Sequence, residues 1–505
     1  MDCSAIIKKI RDLAGTAPDT VCFQRGSDTF TYGELIRRAD VLTAEWLRRF
    51  PGRDPLLCFG SLDFEMIVGF LACIQSSRPY IPVDASMPAD RVKTIRDTSG
   101  CCGIWAAAPW PFEEESLPVF SAEEFGLLPL VPAGENDRQP VTGDDIFYII
   151  YTSGTTGLPK GVQISYHNLT GFVAWILSDF GLGEGRRFLL QAPFSFDLSV
   201  MSLWPALVSG GTLVTIGKDA ITDFKRLYSE IPELGLQVWV STPSFADLCL
   251  ADPGFHEENN PQIRHFLFCG DELLHRTAEK LAARFPGARI FNTYGPTEAT
   301  VAVTQVEIDS KILETYERLP VGTAKPDTQI EILNEAGLPS PDGVAGEIVI
   351  AGPAVSAGYR NDPERTAEVF FRYNDLPAYH TGDAGVMENG MLFFKGRLDF
   401  QIKFHGYRIE LQDIEQHLLK NPLIADALAV PIYKDFKVFR IVAYLVAAAH
   451  DFESEYELSK SIKKTLAKSV PDYMVPQKFV FVDKLPLTVN GKVDRKRVTE
   501  EVNPA

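Results

Sequence analysis

Residues 151–162, YTSGTTGLPKGV, set three glycines and four aliphatic hydroxyls around Lys160, directly after the apolar run IFYII. Glycines let backbone N–H groups approach an anion, and hydroxyls and an ammonium add donors, so the loop suits phosphate. It is not the usual phosphate loop, because Lys160 follows Pro159 and precedes Gly161 instead of standing between Gly and Ser or Thr. A second cluster, FNTYGPTEATV at 291–301, offers an aromatic ring, a Gly-Pro turn, hydroxyls and a carboxylate. Tyr294 could stack on a base, Thr297 could donate to a phosphate, and Glu298 could hold magnesium through a hard oxygen. A third, YHTGDAG at 379–385, is expected to expose Asp383 on a glycine-flanked turn, where a carboxylate suits two vicinal ribose hydroxyls. Each cluster would serve equally as an ordinary turn, so position decides.

The elements that must hold these clusters follow from pattern. Short apolar runs such as PLLCFG, RPYIPV, GTLVTI, LQVWVST and RHFLFCG alternate with amphipathic stretches such as YGELIRRADVLTAEWLRRF and HRTAEKLAARF. That alternation predicts an α/β fold of layered, mostly parallel sheets flanked by helices. From about residue 318 the texture changes to strands separated by Gly and Pro turns, which predicts a β-rich subdomain. A chain of 505 residues exceeds one ordinary core. The expected division is a large N-terminal domain over 1–398 and a small α+β domain over 399–505.

Composition excludes several classes. The net charge of −18 argues against nucleic acid, whose phosphates need a basic face. The charge is uneven: residues 401–505 carry 16 basic and 14 acidic side chains, against 33 and 53 in the remainder, which would let a C-terminal domain meet an acidic partner. Eight cysteines without a CxxC pair read as reduced core residues, and eight histidines without HxxxH or HxH spacing give no zinc site. No run reaches the roughly 18 apolar residues of a membrane span, and the N-terminus lacks a signal-peptide apolar region, so the cytoplasm is expected.

Seven pieces in order, YTSGTTGLPKGV, FSFDLS, NTYGPTEATV, GEIVIAGPAVSAGYR, YHTGDAG, GRLDFQIKFHGYRIELQDIE and NGKVDRK, make the chain resemble the adenylate-forming superfamily over nearly its whole length. That superfamily includes peptide-synthetase adenylation domains, acyl-CoA synthetases and luciferases. The resemblance implies a mobile C-terminal domain and an acid activated by ATP with magnesium. Thr152 and Ser153 would embrace the phosphates, while Asn292, Thr293, Tyr294, Gly295, Pro296 and Thr297 would surround the adenine and α-phosphate. Asp383 would take the ribose, with Phe394, Lys395, Gly396 and Arg397 along the ribose or phosphate edge. Phe394 stands where a tyrosine is frequent. Glu298 would position magnesium, and Lys492 would be the catalytic lysine bridging substrate carboxylate and α-phosphate. Asp399 would be the hinge about which the small domain rotates for thiol transfer.

Within the superfamily, QAPFSFDLSVM, FLFCGDELL and NTYGPTEATVAVT are most similar to the D-alanine-activating carrier-protein ligases. By that resemblance Asp197 would bind the substrate ammonium, Cys269 would fill the space of a larger side chain, and Val301 and Lys492 would also contact the amino acid. The implied partner is a D-alanyl carrier protein with a phosphopantetheine arm, feeding D-alanylation of lipoteichoic acid. Spacing cannot read chirality, so activation of another small amino acid, L-alanine or glycine, stays open.

Overall fold

The structure, a computed structural model, describes residues 5–113, 115–126, 140–154, 158–486 and 493–503. Helix Tyr32–Arg49 illustrates how local sequence becomes packing. The Thr31 hydroxyl accepts from the Glu34 amide at 3.2 Å while the Glu34 carboxylate accepts from the Thr31 amide at 2.9 Å, a reciprocal cap that satisfies two helix-end donors. Leu35, Ala39, Leu42 and Trp46 then fall on one buried stripe.

Backbone contacts divide the chain into two compact units. The first holds residues 1–85, 99–150 and 161–396. Its largest sheet has nine strands, ordered Thr323–Ala324, Thr304–Glu307, Arg289–Tyr294, His265–Phe268, Val238–Ser241, Arg187–Leu190, Thr212–Thr215, Val21–Arg25 and Asp28–Thr31. The central neighbours run parallel, and antiparallel pairing is confined to the two ends of the sheet, as the alternating strand and helix pattern requires. A six-stranded sheet contains Leu56–Gly60 and Tyr80–Asp84, paired in parallel and buried throughout. Beside it, helix Phe64–Gln75 presents Gly69 to Trp105: a Cβ there would stand 2.4 Å from the indole, so only glycine admits this approach. Trp105 also meets Trp46 edge-on, with ring centroids 6.1 Å apart.

The β-rich part is a five-stranded sheet built from Gln329–Leu333, Gly346–Ala351, Leu376–Glu388, Phe370–Tyr373 and Met391–Arg397. It begins later than the change of texture near 318, because Thr323–Ala324 still pairs with the nine-stranded sheet. Burial pushes the thiols of Cys22, Cys73 and Cys249 well above their usual value, and none of the seven described cysteines is in a disulfide, consistent with reduced core residues. Among the described residues no helix is long and apolar enough to cross a membrane.

The second unit holds residues 86–98, 151–160 and 397–505. Hairpin strands Gln401–Phe404 and Tyr407–Glu410 are joined by His405 and Gly406 at φ of 51° and 84°, the left-handed pair that a two-residue turn needs. Helix Leu411–Leu419 and a three-stranded sheet, Ile424–Lys434, Lys437–Ala447 and Lys478–Phe481, close over Ile402, Ile414, Leu418, Ile441 and Leu445.

Candidate functional site

In the first unit the strand Arg289–Tyr294 delivers the second cluster to its C-terminal end, where open parallel sheets place their ligands. Asn292 donates to the Pro320 carbonyl at 2.7 Å and Thr293 to the Phe268 carbonyl at 2.8 Å, so both side chains hold the strand end in place. Gly295 is required by crowding, since a Cβ would lie 2.6 Å from the Ala302 backbone. Pro296 then leads into a single 3-10 turn, Thr297–Ala299.

Three acids gather here, each met by a hydroxyl. Thr297 donates to Asp197 Oδ2 at 2.6 Å, Tyr359 to Glu298 Oε1 at 2.8 Å, and Tyr294 to Asp383 Oδ2 at 2.6 Å. All six residues are buried, Glu298 completely. Asp197 stands before helix Leu198–Val208 without capping it, which removes the ordinary structural reason for an aspartate at that position. Glu298 supplies one hard oxygen-donor group, the chemistry of a magnesium ion that takes one protein carboxylate and completes its shell with phosphates and water.

Asp383 corrects an expectation. It is 1% exposed and lies within the long strand Leu376–Glu388, not on an exposed turn. The register against Gly346–Ala351 shifts between Glu347 and Val349, and Gly382, at φ 67°, takes the extra backbone of that irregularity. Thr381 donates to the Ile348 carbonyl at 2.6 Å and the Gly382 amide to Glu347 at 2.9 Å, which fixes the kink. Tyr294 is also not an open stacking face: its ring is 3% exposed and tilts against Phe394 with centroids 6.0 Å apart. Lys395 lies 3.8 Å from Glu388, and Gly396 at φ 125° adopts a backbone that side chains avoid.

Cys269 and Val301 are brought together. The Cys269 thiol lies 3.6 Å from the Val301 carbonyl, both buried. Thr300 and Val301 have φ of 57° and 69°, and the Ala302 amide reaches back to the Thr300 carbonyl at 2.8 Å, the geometry of a strained γ-turn. A β-branched residue in that region is strained, and the Thr300 hydroxyl, bonded to the Ala354 carbonyl at 2.7 Å, anchors it. Spacing gave no sign of this anchor or of Tyr359, although Tyr359 lies inside the motif SAGYR.

In the second unit, which includes residues 151–160, Ser153 donates to the Arg408 carbonyl at 2.8 Å and accepts from the Glu410 amide at 3.3 Å. The buried Thr152 hydroxyl has no hydrogen-bond partner among the described residues. Lys160 stands 3.9 Å from Glu410. Arg397 grips Asp399 through two guanidinium nitrogens, one at 2.9 Å. Burial opposes ionisation of Asp399, but Arg397, the Gln401 amide and the Arg408 charge outweigh it and hold the carboxyl below its ordinary value. Lys492 lies outside the described residues.

The AMP-binding enzyme family profile matches residues 10–360, and that of the AMP-binding enzyme C-terminal domain matches residues 413–492. The chain is 48% identical to a D-alanine--D-alanyl carrier protein ligase of Listeria welshimeri, over 99% of each chain. A protein of the same name from Lactiplantibacillus plantarum is 48% identical, again over 99% of each. Among solved structures, an NRPS protein containing adenylation and PCP domains superposes with a TM-score of 0.82 at 28% identity, over 98% of this chain and 84% of the other. The Vibrio cholerae adenylation domain AlmE, in complex with glycyl-adenosine-5'-phosphate, gives a TM-score of 0.83 at 23% identity, over 99% and 98%, and shares the fold.

Proposed function

This chain belongs to the AMP-binding enzyme family, and we infer that it activates D-alanine with ATP to D-alanyl adenylate, releases pyrophosphate and hands the D-alanyl group to a D-alanyl carrier protein. It is an ATP-dependent, AMP-forming ligase. The observation that carries the reading is the near-full-length identity to ligases named for that amino acid and that carrier.

In the first half-reaction a D-alanine carboxylate oxygen attacks the α-phosphorus and the bond to pyrophosphate breaks. Little covalent protein chemistry is needed, so positioning and electrostatics dominate. Asp197 would receive the substrate ammonium, with Cys269 and the Val301 turn limiting the space for its side chain. The side chains of Asn292 and Thr293 hold the strand end at which the nucleotide would sit, Asp383 would receive the ribose, and Arg397 and Lys492 would bond the nucleotide's charged edge. The Thr152 hydroxyl, buried without a hydrogen-bond partner among the described residues, supports a phosphate contact. Magnesium would be held by Glu298 and would neutralise phosphate charge.

In the second half-reaction the thiol of the carrier's phosphopantetheine arm attacks the acyl carbon and AMP leaves. A small domain over 399–505, turning at Asp399, would present different faces to the two steps. The product would feed D-alanylation of lipoteichoic acid from the cytoplasm.

The test is acid-dependent exchange of labelled pyrophosphate into ATP with D-alanine, L-alanine, glycine and propionate side by side. D-alanine should be preferred. Preference for glycine or L-alanine would leave the mechanism and discard the substrate.

A further inference from the structure

We infer that Thr297 couples the amino-acid site to the nucleotide site, so that D-alanine and ATP bind with positive cooperativity; the inference rests on the substrate reading above. The starting point is the 2.6 Å bond from the Thr297 hydroxyl to Asp197 Oδ2, between two residues that are 8% and 7% exposed. An ionised carboxylate only accepts, so Thr297 must donate, and a hydroxyl has one proton to give. The same hydroxyl sits at the start of the turn Thr297–Ala299, directly after the glycine and proline that shape the nucleotide end of the strand. Its proton is therefore wanted by two anions, the Asp197 carboxylate and an incoming phosphate oxygen.

The sign of the coupling follows. In the absence of an amino acid, a charged acceptor with restricted access to water holds the proton strongly, since charge-assisted bonds are about twice as strong as neutral ones. A phosphate must then either do without this donor or pull it from a buried carboxylate that would lose a partner. When the D-alanine ammonium reaches Asp197, it supplies both charge and donors to that carboxylate. The hold on the threonine proton weakens, and the hydroxyl can turn to phosphate at lower cost. By linkage the nucleotide must favour D-alanine by the same factor. Thr297 acts here through Asp197 as a positioning residue. A valine would fill its space and remove the proton.

The experiment uses the full chain and a nonreactive nucleotide, α,β-methylene-ATP. D-alanine affinity is measured by calorimetry without nucleotide and with saturating analogue. The wild type should bind D-alanine about 5–20-fold more tightly with the analogue present. Thr297→Ser should keep that ratio, whereas Thr297→Val and Thr297→Ala, with folding verified by thermal unfolding, should bring it close to one. A ratio near one in the wild type, or an unchanged ratio in either variant lacking the hydroxyl, overturns the coupling. Failure of the substrate reading has a separate signature: pyrophosphate exchange would respond to glycine or L-alanine in place of D-alanine, and the ratio would then be measured with that acid.

Discussion

The site acids of the first unit and three acids of the second are held by different means. In the first, Asp197, Glu298 and Asp383 each accept from a hydroxyl, of Thr297, Tyr359 and Tyr294. In the second, acids face guanidinium groups: Glu415 meets Arg495 at 2.6 Å, Asp413 meets Arg91 at 3.4 Å, and the more exposed Asp399 meets Arg397. A guanidinium donates and also cancels charge, whereas a hydroxyl donates and adds none. The hydroxyl itself orients its carboxylate without adding charge against a cationic ligand. The guanidinium sets its charge against the carboxylate's within the fold. Acids of the first kind suit binding of an ammonium or a metal, and acids of the second kind suit architecture.

The largest effect should come from Asp197→Asn. Removing one partner from a desolvated ion pair costs about 3–5 kcal/mol, so D-alanine-dependent pyrophosphate exchange should fall about 100- to 4000-fold while the nucleotide analogue still binds. Propionate, which lacks the ammonium, should lose little. If the variant discriminates D-alanine from propionate as the wild type does, Asp197 is not the ammonium site and the hydroxyl-held class loses its functional meaning.

Arg495→Met probes the other class, with stability as its readout. The change strips Glu415 of its cation, removes a bond to the Ala429 carbonyl and lifts the guanidinium off the Phe400 ring, 4.7 Å away. An uncompensated buried carboxylate should destabilise the second unit by about 3–5 kcal/mol. The chain provides its own reporter: all six tryptophans, at 46, 105, 110, 175, 204 and 239, lie in the first unit. In urea, the far-UV dichroism of the variant should begin to fall before its tryptophan fluorescence moves. Equal shifts of both signals would mean that the pair stabilises the whole chain and not its own unit.

The layered sheets are legible in the sequence because they depend on local signals. Apolar runs with helical or strand period and the Thr31 to Glu34 cap need only neighbours a few residues away. At Asp383 the glycines at 382 and 385 signal a turn, yet a β-bulge uses the same residues inside a strand, and only the partner Glu347 to Val349 tells the two apart. Tyr359 lies 61 residues from Glu298, and Thr297 lies 100 from Asp197. No period or spacing links such pairs. The motif order located the acids, but what orients each acid is a long-range product of packing.

The smallest expected effect lies at Asp399, where the cation-held class reaches the surface. Its folded carboxyl sits below its ordinary 3.8, held there by Arg397 against the opposing effect of burial. A depressed carboxyl contributes stability above the unfolded value, and that contribution is lost as pH falls through the folded one. The side chain is 45% exposed, so solvent screens the pair and the contribution should stay within about 0–1 kcal/mol. Thermal unfolding of wild type and Asp399→Asn between pH 6 and 2 should therefore show a small advantage of the wild type at the upper end that fades below about pH 3.8. A difference that does not change over this range would show that Arg397 meets Asp399 without stabilising its charge. The contrast between the units would then hold for buried acids alone.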